Sequence, residues 1–152
     1  MAVSVKRRST GRLELLARNV TGPNSLKVGF YGGATYPDGT SVADVAVFNE
    51  FGVPSHGQPP RPFFRNMIAS QAPKWPGMAA RLMEGNNMDV AATLDLMGQE
   101  IAGRLAESIN TLTEPPLAPS TIARKGFSKP LIDTATMLRA ISYEVTGPDS
   151  TG

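Results

Sequence analysis

Few side chains in this sequence have the type and spacing for covalent chemistry. His56 is the only histidine and falls in a proline-bracketed loop. A general base needs an oriented partner and a nucleophile within reach, and no Ser-His-Asp arrangement can be read around it. With one histidine and no cysteine, a multi-histidine metal site within the chain, thiolate ligation and disulfides are all excluded. Asp95, Glu100 and Glu107 occupy one helical segment but not at i, i+4, so a paired-acid active site is not indicated and they read as a solvated face. Gly32-Gly33 follows a candidate strand, as phosphate-cradling turns do, yet no Gly-Lys-Ser/Thr or GxGxxG spacing opens the next helix. The expectation is a chain that is not an enzyme and uses no cofactor and no metal.

Two charges remain conspicuous. Glu50 closes an apolar helical segment, Val42 to Phe51, where a carboxylate meets the negative end of the helix dipole. Arg61 is the nearest basic residue in sequence that could compensate it. The two are expected to pair, within the subunit or across a subunit interface, and to fix the intervening loop as an arch. The bland alternative is two solvated charges, worth under about 1 kcal/mol. The net charge is only +2, but Lys6, Arg7, Arg8, Arg12 and Arg18 gather near the N-terminus with Glu14 alone against them. A solvated terminus explains such a run; an arm that meets DNA or an acidic partner is the functional reading.

The elements that must carry these residues follow from periodicity. Residues 1–9 show none and read as a flexible basic arm. From Thr10, a candidate N-cap, Leu13, Leu16, Ala17 and Val20 keep helical spacing, and Thr21-Gly22-Pro23-Asn24 ends the segment. Leu26, Val28 and Phe30 alternate as a half-buried strand that leads into a turn at Asp38-Gly39. Ser41 and Asp44 form a weak capping box for Val42 to Phe51, whose all-round apolarity predicts burial on more than one side. Gly52 ends that helix in a left-handed conformation. The loop Val53 to Pro60 is expected to be exposed.

After Pro62, residues Phe63, Phe64, Met67 and Ile68 make an apolar helical face that Pro73 ends. A second short helix carries Trp75, Met78, Ala79 and Leu82 up to Gly85. The longest element, Met88 to Leu112, would span roughly 37 Å. Asn87 is its expected cap, and Val90, Leu94, Met97, Ile101, Leu105, Ile109 and Leu112 are its core stripe. A second stripe of small residues, Gly98, Ala102 and Ala106, permits close approach of another backbone. Pro119 to Gly126 reads as a short helix, Asp133 as the cap of Thr134 to Ala140, and Ile141, Tyr143 and Val145 as a closing strand. These give an α+β domain over 10–146, with the two strands in a small antiparallel sheet against the long central helix and several short ones, and a flexible tail over 147–152. No run approaches the ~20 apolar residues of a membrane span, and the N-terminus lacks a signal-peptide core, so a soluble, unexported protein is expected.

In order, Lys27-Val28-Gly29-Phe30, Asn49-Glu50-Phe51-Gly52, Pro60-Arg61-Pro62-Phe63, Thr121-Ile122-Ala123-Arg124-Lys125-Gly126 and Lys129-Pro130-Leu131-Ile132-Asp133-Thr134 resemble the small tail-completion and neck, or head-to-tail connector, proteins of tailed bacteriophages and prophages. The likeness covers residues 26–146 and rests on the order of the motifs. It implies a structural virion protein, tail-terminator-like, assembled in the host bacterial cytoplasm. Such a subunit forms a hexameric or dodecameric ring that completes or terminates the tail and joins tail tube to head-side connector, with possible contact to packaged DNA and none to membrane. On this resemblance Asn49, Glu50, Phe51, Gly52, Pro60, Arg61, Pro62, Phe63, Lys129, Pro130, Leu131, Asp133 and Thr134 define fold or interface. Family members commonly carry Thr-Gly where this chain has Thr134-Ala135, which weakens any requirement for a left-handed residue there. The alternative function is a DNA-binding module using Lys6, Arg7, Arg8 and Arg12. Against it, no aromatic residues interleave with that cluster.

Overall fold

A computed structural model describes residues 11–19, 22–115 and 135–147, apart from the side chains of Arg12, Leu16 and Asn19. The element order is α1 (Gly11–Asn19), β1 (Ser25–Phe30), α2 (Val42–Phe51), α3 (Phe63–Gln71), α4 (Trp75–Gly85), α5 (Val90–Thr111), α6 (Thr136–Arg139) and β2 (Ile141–Thr146). Single 3₁₀ turns at Pro54–His56 and Ala72–Lys74 lead toward α3 and α4. The architecture is α+β. The expected arm (Lys6, Arg7, Arg8), the Thr10 cap, the helix at 119–126 and the Lys129, Pro130, Leu131, Asp133 and Thr134 segment lie outside the described residues.

β1 and β2 pair antiparallel from Ser25↔Thr146 to Phe30↔Ile141, so two strands from opposite parts of the chain close on each other. Thr146 belongs to this strand; its carbonyl accepts the Asn24 N–H at 3.0 Å and the residue is buried. The two-stranded ribbon cannot bury itself and packs along α5. Met97, Ile101, Leu105 and Ile109 of α5 are buried, as their 3–4 spacing requires, and Val90, Leu94 and Leu112 are half-buried. Val42, Phe63, Leu105, Ile109 and Met137 are almost wholly enclosed, each contributing about 1.5–3 kcal/mol. At Gly98 of the small-residue stripe the close neighbour is a side chain rather than the expected backbone: the Tyr143 ring of β2 fills the space a Cβ would take.

Two helix starts differ from the sequence reading. Asp89, not Asn87, caps α5: its carboxylate accepts the Ala92 N–H at 3.0 Å. Asn87 and Met88 instead turn the chain with positive φ. At α6, Ala135 stands at φ 58, ψ 9, so the left-handed conformation is kept although the residue is not glycine. A left-handed alanine costs about 1–2 kcal/mol, and glycine loses about 0.5–1 kcal/mol more backbone entropy on folding. Ala135→Gly is therefore expected to stabilise the fold by about 0.5–1 kcal/mol, read as a higher urea midpoint at unchanged m-value.

Beside Gly98, the Tyr143 hydroxyl donates to Asp95 Oδ1 at 2.8 Å. That hydrogen bond is the first cause of a Tyr143 pKa raised above the ordinary tyrosine value. A raised tyrosine pKa gives stability that is full below about pH 10 and lost as pH climbs through the folded value. Asp95→Ala should bring the phenolate absorbance of Tyr143 in at lower pH; an unmoved titration would mean the contact is absent in solution.

Candidate functional site

The segment that joins α2 to α3 is built by giving three carbonyls at the α2 C-terminus a partner. The last carbonyls of a helix have no acceptor role within it. Here the Phe48 carbonyl accepts from Gln58 Nε2 at 3.3 Å, that of Asn49 from the Arg61 N–H at 2.6 Å, and that of Glu50 from an Arg65 terminal nitrogen at 2.9 Å. Gly52 leaves the helix at φ 75, ψ 173, a positive φ as expected but extended rather than helical. The exposed loop then closes on itself through paired Val53 and Gln58. His56 is exposed at its tip. Pro62, at φ −79 and ψ 60, makes an inverse γ-turn in which Phe63 N–H donates to Arg61 O at 2.8 Å. That turn aims the start of α3 back at α2.

Glu50 is the centre of the arch. It is only 6 % exposed. One carboxylate oxygen accepts the Phe64 N–H at 2.9 Å, and the other accepts the Arg65 N–H at 3.1 Å and Arg65 Nε at 2.7 Å. Pro62 offers no side chain to cap α3, so a glutamate from the previous helix does so. Its charge lies at the positive end of the α3 dipole, while Arg65 reaches the negative end of α2. Each residue stands at the wrong end of its own helix and the right end of the other.

The expected Glu50–Arg61 pair is thus corrected: the partner is Arg65, because α3 begins at Phe63 and places the third helical residue, not the pre-helical arginine, over Glu50. Arg61 is itself buried, at 6 % exposure, and its Nε donates to Pro115 O at 3.3 Å. Burial lowers its pKa. Since both Glu50 and Arg61 are enclosed by their own subunit, neither is placed to pair across an interface. The missed signal was available in the sequence. An acidic residue ending one helix and a basic residue three positions into the next are two dipole mismatches that cancel together.

The second correction concerns α2. Val42, Ala46 and Glu50 are buried, but the apolar residues on the opposite side are not: Val47 is 52 %, Phe48 50 % and Phe51 61 % exposed. Burial on more than one side does not occur within the subunit, because α3, β1 and α6 cover one face only. Of these, Val47 and Phe51 border an apolar groove of about 290 Å³ lined also by Phe30, Ala46, Phe63 and Phe64. Phe63 is core, edge-on to Phe30 with centroids 6.1 Å apart; Phe64 is half-buried in the groove wall. The Arg65 guanidinium carbon lies 5.0 Å from the Phe51 ring centroid, stiffening the rim by a cation–π contact. Ser108 Oγ donates to Phe63 O at 2.7 Å and ties the arch to α5.

Among the described residues no group of three or more His, Cys, Asp or Glu could hold a metal ion. A polar cleft of about 460 Å³ between α3 and the end of α5 is lined by Arg104 and Glu107, among others. Arg104 is already engaged by Glu100 and Glu107, each at 2.9 Å. No described helix is long and apolar enough to cross a membrane. Comparison with family models, curated proteins and solved structures finds no match for this chain.

Proposed function

We propose that this chain is a structural subunit of the neck or tail end of a tailed phage, part of a ring that completes or terminates the tail and joins it to the head-side connector. The observation that carries the reading is the exposed Val47, Phe48 and Phe51 face, mounted on the Glu50–Arg65 arch. Interface cores are rich in aromatic residues and arginine and poor in other charges, as this face is. A face of this kind suits assembly, and the order of the NEFG, PRPF and KPLIDT motifs supports placing that assembly at the neck or tail end. The reading carries no catalytic role.

Its test is location. Gold-labelled antibody to this chain, applied to purified particles of the phage or prophage that encodes it, is expected to mark the head–tail junction. Loss of the chain should leave filled heads and free tails unjoined. Particles that join normally without it, or a label found elsewhere, would contradict the reading.

A further inference from the structure

We infer that the exposed face of α2 pairs with the same face of a second copy of this chain, antiparallel about a twofold axis. The inference goes beyond the ring-subunit reading, and the pairing itself does not depend on it. Asp44, Val47, Phe48 and Phe51 stand at i, i+3, i+4 and i+7, the spacing of one helix stripe, and all four are exposed. The opposite stripe of the same helix, Val42, Ala46 and Glu50, is already buried in the subunit. Val47 and Phe51 belong to the wall of the apolar groove, while Phe48 stands beside it, half exposed. The face therefore offers an aromatic knob next to a hole. At about 290 Å³ the hole exceeds the ~150 Å³ of a cavity that admits a benzene ring.

Charge sets the occupant and its direction. In an antiparallel pair centred between Val47 and Phe48, Val47 of one copy faces Phe48 of the other, so each Phe48 enters the other copy's groove. Asp44 then faces Phe51 of the other copy. The Arg65 guanidinium carbon lies 5.0 Å from the Phe51 ring centroid, which brings Asp44 beside the other copy's Arg65. Asp44 makes no ion pair among the described residues. Arg65 gives Nε and one terminal nitrogen to Glu50 and, at 56 % exposure, keeps its second terminal nitrogen for another carboxylate. A parallel pair would set like charges together, and a nucleic acid would meet one cation on an apolar floor. A second copy brings the complementary charges on the very face that needs covering. Val47 and the two rings offer on the order of 300 Å² of exposed apolar surface per copy, enough for the core of an interface of about 800 Å² per partner. The ion pairs set direction more than affinity. A twofold contact uses each face once and is complete at two copies. On the ring reading it is the stored form of the subunit, and a ring built through the same face has to open it.

The chain contains no cysteine, so engineered thiols report without background. Asp44→Cys protein and Phe51→Cys protein, distinguishable by mass, are mixed and mildly oxidised, with Asp44→Cys plus Ser55→Cys as the control pair. The expected result is a mixed disulfide several-fold above either same-variant product and above the control. Statistical product ratios, or a preference of Asp44→Cys for itself, would overturn the inference. In sedimentation the parent chain is expected as a dimer and Phe48→Ser as a folded monomer. Asp44→Lys should weaken the dimer about three- to tenfold, a loss that shrinks in high salt. A monomeric parent, or an oligomer that Phe48→Ser leaves intact, would overturn the inference as well. Statistical cross-linking refutes the pairing and leaves the ring reading standing, whereas a label absent from the head–tail junction refutes the ring reading and leaves the pairing.

Discussion

Replacing Gly52 by alanine is expected to cost about 3 kcal/mol or more of folding free energy, a large part of the total for a domain of this size. At φ 75 and ψ 173 the backbone occupies a region essentially reserved for glycine, worth about 1–3 kcal/mol of strain for other residues. A Cβ there would also stand 2.7 Å from Gln58 O and 2.7 Å from Pro60 N. Both obstacles are backbone atoms of the loop that the Val53–Gln58 pairing closes, so no side-chain rotation relieves them. Urea unfolding measures the effect directly. Stability within about 1 kcal/mol of the parent would mean that the loop is not folded against the end of α2.

Glu50→Ala is expected to cost about 2–4 kcal/mol, because it leaves two N–H groups at the start of α3 without an acceptor and removes the partner of Arg65. Arg65→Ala should cost less, about 1 kcal/mol, since the arginine is 56 % exposed and solvent screens its charge. The double-mutant cycle for Glu50 and Arg65 should show clear coupling, larger than that for Glu50 and Arg61. Equal or greater coupling to Arg61 would reverse the assignment of the pair. The loss should concentrate in α3 and the loop, where amide exchange would report local opening before global unfolding.

Much of the fold was legible because it depends on patterns of one kind. The α5 stripe from Met97 to Ile109, the alternation of β1 and β2 and the Ser41 cap, whose hydroxyl accepts the Asp44 N–H at 3.3 Å, are local or periodic signals. Pairing of two strands more than a hundred residues apart followed from their being the only two half-buried runs to match. The site was legible in place but not in detail. Periodicity reports which residues are apolar, not how many faces a neighbour covers, so Val47, Phe48 and Phe51 read as core when they are surface. Proximity in sequence favoured Arg61 for Glu50, while the γ-turn at Pro62 hands that position to Arg65. Ala135 shows the same limit: a left-handed backbone stands where the chain turns into α6, and alanine tolerates it at a cost that composition does not reveal.

A rigid arch that presents an uncovered aromatic face is the central claim, and it requires the face to be covered in the assembled state. The most direct test is native mass spectrometry of the purified chain, alone and mixed with the tail-tube protein of the same genome, for the parent and for Phe48→Ser, Phe51→Ser. The account predicts a closed oligomer for the parent, formed alone or on the tube, and its loss in the doubly substituted chain, which stays folded because both side chains are at least half exposed. A parent that remains monomeric under both conditions, or a substituted chain that assembles as the parent does, would contradict it.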